Sequence, residues 1–94
     1  MQAAVSLLIV EDDPTIQLTL HDALEDAGYA VMQASSGHEA MRLLGERGEE
    51  LRGLVTDVDL GDGLDGWHVA RHAREIAQDL PVICIPTVRT AYPG

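Results

Sequence analysis

Val5-Ser6-Leu7-Leu8-Ile9-Val10-Glu11-Asp12-Asp13-Pro14 is the stretch on which the fold turns. Its first six residues are apolar but for Ser6 and show no alternation, the pattern of a strand buried on both faces. Three carboxylates follow at once. Asp13-Pro14 reads as a helix N-cap with proline in the first turn. Ile16, Leu20, Ala23, Leu24 and Ala27 then recur at helical spacing as one apolar stripe. Gly28 is placed to stop that helix in a left-handed cap. A buried strand running through a short charged turn into a helix is the repeating unit of a parallel α/β sheet.

The same alternation continues downstream. Tyr29–Ala34 reads as a second, weaker strand. Ser36-Gly37-His38-Glu39 has the form of a capping box. It opens a helix that carries Ala40, Leu43 and Leu44 inward and stops near Gly48. Leu54–Thr56 is the core of a third strand. Asp57 to Gly66 is a loop holding three Gly and four Asp. A third helix is predicted from about Trp67 to Gln78, with Val69, Ala70, Ala73, Ile76 and Ala77 on its buried face. Pro81–Ile85 is a fourth strand. Connections this short imply parallel strands with right-handed crossovers. Residues 86–94, with two more prolines and a terminal glycine, read as a loop or tail.

Ninety-four residues make one domain. With no Phe, one Trp and two Tyr, the core must be aliphatic. The formal net charge of −10 disfavours nucleic acid and anionic membranes and suits cations and basic protein patches. All six basic residues are Arg, the first being Arg42, so the N-terminus lacks a positively charged leader pattern. No apolar run reaches membrane-spanning length. Cys84, the single cysteine, sits in an apolar strand and reads as an inert core residue. A soluble, cytoplasmic protein is expected.

Two acidic clusters stand where buried strands should end: Glu11-Asp12-Asp13, and Asp57 with Asp59. Carboxylates crowded at the mouth of a sheet repel one another unless a divalent cation, a proton or solvent compensates. Strand ends of parallel sheets are also where ligands bind. Taken singly, an Asp after a strand is most often a turn former or a cap, so the argument rests on the combination. His68 and His72 are spaced i, i+4 but lack companions at zinc-ligand spacing, and read as surface residues. Trp67, just past the acidic loop, reads as a packing anchor and a fluorescent reporter.

Together, Leu7–Pro14, Leu54–Leu60, Leu64-Asp65-Gly66 and Leu80–Ile85 resemble a bacterial response-regulator receiver domain, in order and at family-like intervals. The resemblance implies a flavodoxin-like, doubly wound parallel sheet of strand order 2-1-3-4-5. It implies a phosphorelay module in which Asp57 accepts a phosphoryl group from a sensor histidine kinase or phosphotransfer protein. It further implies Mg²⁺, held by the carboxylates of Asp12 and Asp57, by the backbone carbonyl of Asp59, and by Glu11 through a metal-bound water. Asp13 is then a helix cap. The chemistry suits the residue types, since Mg²⁺ takes hard oxygen ligands and keeps several waters. Such a module is not an enzyme beyond self-phosphorylation from a phosphodonor and slow autodephosphorylation.

The chain also departs from the family. The loop after Asp57 reads one residue long. Pro86 falls where the family has a hydroxyl residue, and Thr87, the candidate substitute, comes one residue late. The family's phosphate-pairing Lys has no counterpart, because the chain contains no Lys, and Arg89 is a poor replacement. About four strands and three helices are expected, with the fifth strand and last helices missing. That would leave the fourth strand as an apolar edge open to self-association. The first alternative is therefore a degenerate receiver that binds without switching. A remote one is a haloacid-dehalogenase-like phosphatase, suggested by Asp57-Val58-Asp59.

Overall fold

The computed structural model describes residues 5–58, 60 and 65–85. Its elements, in chain order, are β1 (Ser6–Val10), α1 (Pro14–Asp26), β2 (Ala30–Ala34), α2 (Gly37–Arg47), β3 (Leu51–Asp57), α3 (Gly66–Ile76) and β4 (Val82–Ile85). A short 3-10 turn, Gly48–Glu50, joins α2 to β3. The strands form one parallel sheet of order β2-β1-β3-β4. This is the flavodoxin-like arrangement, with β1 and β3 in the middle and their C-terminal ends side by side.

The helix boundaries follow local chemistry. Asp13 caps α1, its side chain accepting the N–H groups of Thr15 at 2.9 Å and Ile16 at 3.3 Å, with Pro14 in the first turn. Gly28 follows the helix at φ 98°, a left-handed conformation that glycine adopts without steric cost. Ser36 caps α2 by accepting the Glu39 N–H at 3.0 Å. Glu39 reaches back to accept the Ser35 N–H at 2.7 Å, one residue earlier than a strict capping box requires.

Strand residues alternate between the two faces. Leu8, Val10 and Leu54 join Ala34, Ala40, Leu44, Leu51, Leu60, Val69, Ala73 and Leu80 in one buried cluster under α2 and α3. On the opposite face Ile9 is fully buried, Leu7 and Val55 are half-buried, and Ile83 is 60% exposed.

Four expectations are corrected or refined. The helical stripe of α1 is real as spacing, but none of its residues is buried, and Ile16 is exposed. β3 starts at Leu51, earlier than its apolar core suggests. Its register against β1 shifts between Ser6 and Leu7, so that Ser6 pairs with Leu51 and Leu7 with Gly53. Arg52 is the extra residue on β3 at this bulge. α3 ends at Ile76, where Ala77 turns extended and Leu80 donates its N–H back to the Ala77 carbonyl at 3.1 Å. Ile76 is exposed and Trp67 is 59% exposed, so neither anchors that helix.

Candidate functional site

β1 and β3 deliver their following carboxylates to one place. Glu11, Asp12 and Asp57 each offer a carboxylate oxygen, and these oxygens lie within 4.8 Å of one another. Glu11 and Asp57 are buried, and Asp12 is half-buried. Asp57 comes from the last position of a central strand, whereas Glu11 and Asp12 come from the turn between β1 and α1.

Crowding shows in the protonation of Glu11. Burial is the largest influence and raises its pKa from 4.5 to about 7; a hydrogen bond with Asp12 and the charges of Asp57 and Asp12 push the same way. The Asp13 N–H, donating to Glu11 Oε2 at 3.0 Å, opposes them. Such a site holds more negative charge than its surroundings accommodate, and a dication or a proton relieves it. The donors are hard oxygens, the set that Mg²⁺ prefers. Asp13 is spent on its helix cap and is not a member of this carboxylate group.

Two further features hold the site. Gly66, the first residue of α3, donates its N–H to the Val58 carbonyl at 2.7 Å. A Cβ added at Gly66 would overlap the Asp57 carbonyl oxygen and come within 2.9 Å of the Val58 Cα. The start of α3 therefore lies directly on the backbone that carries Asp57. Asp65 caps that helix, accepting the His68 N–H at 3.0 Å, and this bond holds its pKa below the usual carboxylate range. At the other side of the site, Gln17 donates its side-chain amide to the Glu11 and Ala34 carbonyls.

Glu11, Asp12 and Asp57 are thus brought together as their sequence positions suggested. Asp59, Thr87, Pro86 and Arg89 lie outside the described residues, as does most of the loop after Asp57. His68 pairs with Asp65 at 2.9 Å and His72 with Glu75 at 3.5 Å, and neither belongs to a metal-competent cluster among the described residues. Cys84 is half-buried rather than a core residue, and burial raises its thiol pKa. Sequence reasoning missed Gln17 and the role of Gly66. Gln17 gives no signal beyond being polar one turn into α1. Gly66 was visible in the Leu64-Asp65-Gly66 match, but not the close approach that demands it.

A parallel doubly wound sheet with three carboxylates at the C-terminal ends of its central strands defines the class. Residues 7–91 match the family model of the response regulator receiver domain, and the chain belongs to that family. It is similar to the transcriptional regulatory protein AfsQ1 of Streptomyces coelicolor, 40% identical over 80 residues that cover 85% of this chain and 34% of that protein. It is also similar to the sensor kinase CckA of Brucella abortus, 31% identical over 90% of this chain and 9% of the kinase. Among solved structures, a response regulator receiver protein from Sinorhizobium medicae superposes with a TM-score of 0.84 at 37% identity, covering 88% of this chain and 66% of that one. The non-phosphorylated HemR receiver domain from Leptospira biflexa superposes at 0.79 with 32% identity, covering 87% and 64%. The chain spans about a third or less of these two curated relatives. Family membership displaces the phosphatase reading, whose Asp-x-Asp motif belongs at the end of a first strand; here Asp57 ends β3. Among the described residues no helix is long and apolar enough to cross a membrane.

Proposed function

We propose that this chain is a phosphoacceptor module of a two-component phosphorelay, with Asp57 taking a phosphoryl group from a phosphohistidine on a sensor kinase or phosphotransfer protein. The observation that carries this reading is the convergence of Glu11, Asp12 and Asp57 within 4.8 Å at the ends of β1 and β3. Asp12 and Asp57 would hold Mg²⁺ through carboxylate oxygens, Asp59 through its backbone carbonyl, and Glu11 through a bound water. When bound, Mg²⁺ supplies positive charge that offsets the carboxylates and screens the incoming phosphoryl oxygens. An oxygen of Asp57 attacks phosphorus as the P–N bond to the donor imidazole breaks, and the imidazole leaves with the electron pair of that bond. Burial of Asp57 keeps bulk water away from the acyl phosphate, and Gly66 holds the backbone beneath it in place. Thr87 is the candidate hydroxyl for the phosphoryl oxygens.

Acetyl phosphate with Mg²⁺ tests this directly. Intact-mass spectrometry should show one phosphoryl adduct that is lost in Asp57→Asn. No adduct, with Mg²⁺ binding intact, would replace this reading by the second one: a receiver that holds its fold and metal but does not switch. β4 is an edge strand among the described residues. Self-association through it should appear as a concentration-dependent mass in light scattering, and a monomer at high concentration would exclude it.

A further inference from the structure

The end of β1 is fastened by a side chain from the next helix. Gln17 Nε2 lies 3.1 Å from the Glu11 carbonyl oxygen, 3.2 Å from the Ala34 carbonyl oxygen and 3.3 Å from Ser35 Oγ. Two of these partners are carbonyls, which only accept, so the amide nitrogen must face them. The Glu11 N–H donates to the same Ala34 carbonyl at 3.0 Å. Both polar groups of the Glu11 main chain are therefore engaged, one by the end of β2 and one by Gln17, and the Ala34 oxygen uses both of its lone pairs. The Glu11 side chain is held separately by the Asp13 N–H.

This fastening acts at a residue crowded by two other carboxylates. Glu11 and Asp12 approach Asp57 closely although all three are acids. A turn free to relax would swing away from Asp57 and open the group. We infer that Gln17 is a positioning residue that holds the Glu11-Asp12 turn against this repulsion, so that the carboxylates are preset for a small dication. The inference rests on the proposed Mg²⁺ site and assigns Gln17 no contact with the metal.

The geometry leads to a selective effect. Mg²⁺ requires near-ideal octahedral geometry at short distances, whereas Ca²⁺ accepts longer and more irregular coordination. Loosening the turn should weaken Mg²⁺ far more than Ca²⁺. The test is calorimetric titration of the wild-type chain, Gln17→Met and Gln17→Glu with MgCl₂ and with CaCl₂, followed also by Trp67 fluorescence. Both variants keep the length of the side chain and remove its N–H donors. Mg²⁺ affinity should fall by about tenfold or more, the range typical for residues that orient metal ligands. The Mg²⁺-to-Ca²⁺ affinity ratio should fall with it, while the far-ultraviolet circular dichroism stays unchanged. Gln17→Arg, which restores donors, should recover the ratio. Unaltered Mg²⁺ affinity in the folded variants would overturn the inference, as would equal losses for both cations. Failure of both variants to fold would overturn it too, because Gln17 would then be holding the fold rather than positioning the turn. Lack of Mg²⁺ binding by the wild-type chain would count instead against the metal site itself.

Discussion

On one face of the sheet Leu8, Val10 and Leu54 lie sealed beneath α2 and α3. On the other, Leu7, Val55 and Ile83 look across a groove of about 470 Å³ toward Leu24 and Tyr29. The strands contribute aliphatic residues to both faces, and each helix carries an apolar stripe. The difference lies in the cover. α2 and α3 pack against each other as well as against the sheet, and together bury Ala40, Leu44, Val69 and Ala73. Among the described residues α1 covers its face alone, and none of its own residues is buried. A stripe of apolar residues becomes core only where a second element closes the far side. The stability of the described residues is therefore concentrated on the α2/α3 face, and the acidic site sits at the end of the strands that both faces share.

The sharpest way to probe this contrast is to truncate a core leucine of α2 and an exposed leucine of α1 outside its apolar stripe. Leu44→Ala in α2 should cost about 2–5 kcal/mol by urea denaturation, because it opens a cavity in packed core. Leu18→Ala in α1, where the side chain is 59% exposed, should change stability by no more than about 0.5 kcal/mol. Equal losses would mean that α1 is covered in solution.

Gly66→Ala probes the junction between the packed face and the site. The added methyl must displace the Asp57 backbone, at a cost of about 1–3 kcal/mol. Mg²⁺ binding should be lost with it, as titration would show. Wild-type binding would mean that α3 can retreat without disturbing Asp57.

The pH dependence isolates the site from both faces. The Glu11 pKa is raised from 4.5 in the unfolded chain to about 7 in the native one. Between those values the native state binds more protons than the unfolded state, so stability falls as pH rises. The contribution is fully present below 4.5 and gone above about 7. Without metal, the chain should be more stable at pH 5.5 than at pH 8, by about 1 kcal/mol after allowance for solvent screening. Glu11→Gln should flatten that slope in thermal melts. Metal binding should run the opposite way and weaken as pH falls, because protons compete for the same oxygens.

The most local effect belongs to the caps. Asp13→Ala and Ser36→Ala each remove a side-chain acceptor and should cost about 1 kcal/mol. Because α1 is so little buried, its cap should contribute a larger share of its order. Hydrogen exchange in the first turn should therefore accelerate more for Asp13→Ala than for Ser36→Ala.

Much of this was legible in the residues. The run Leu7–Val10, the cap Asp13-Pro14 and the stop at Gly28 depend on neighbours in the chain; short crossovers imply parallel strands, and the strand order is what the resemblance to receiver domains implies. Glu11, Asp12 and Asp57 were recognisable because each follows an apolar strand. The bulge at Arg52-Gly53 was not, because its cause is pairing with β1, a partner distant in sequence. Nor was the exposure of Ile16, Ile76 and Trp67, since helical spacing says which residues share a side but not whether anything lies against it.

By itself, then, the sequence determined which segments are strands and helices, their parallel direction, and which carboxylates would reach the ends of β1 and β3. Periodicity, capping and connection length are local and act on a few adjacent residues. Only the tertiary structure decided which stripe became core and how closely Gly66 approaches Asp57. It alone decided that Gln17 would hold the Glu11 turn and that Glu11 would bind a proton near neutrality. Each of these depends on distances between segments far apart in the chain, where packing and electrostatic repulsion operate and sequence spacing carries no information.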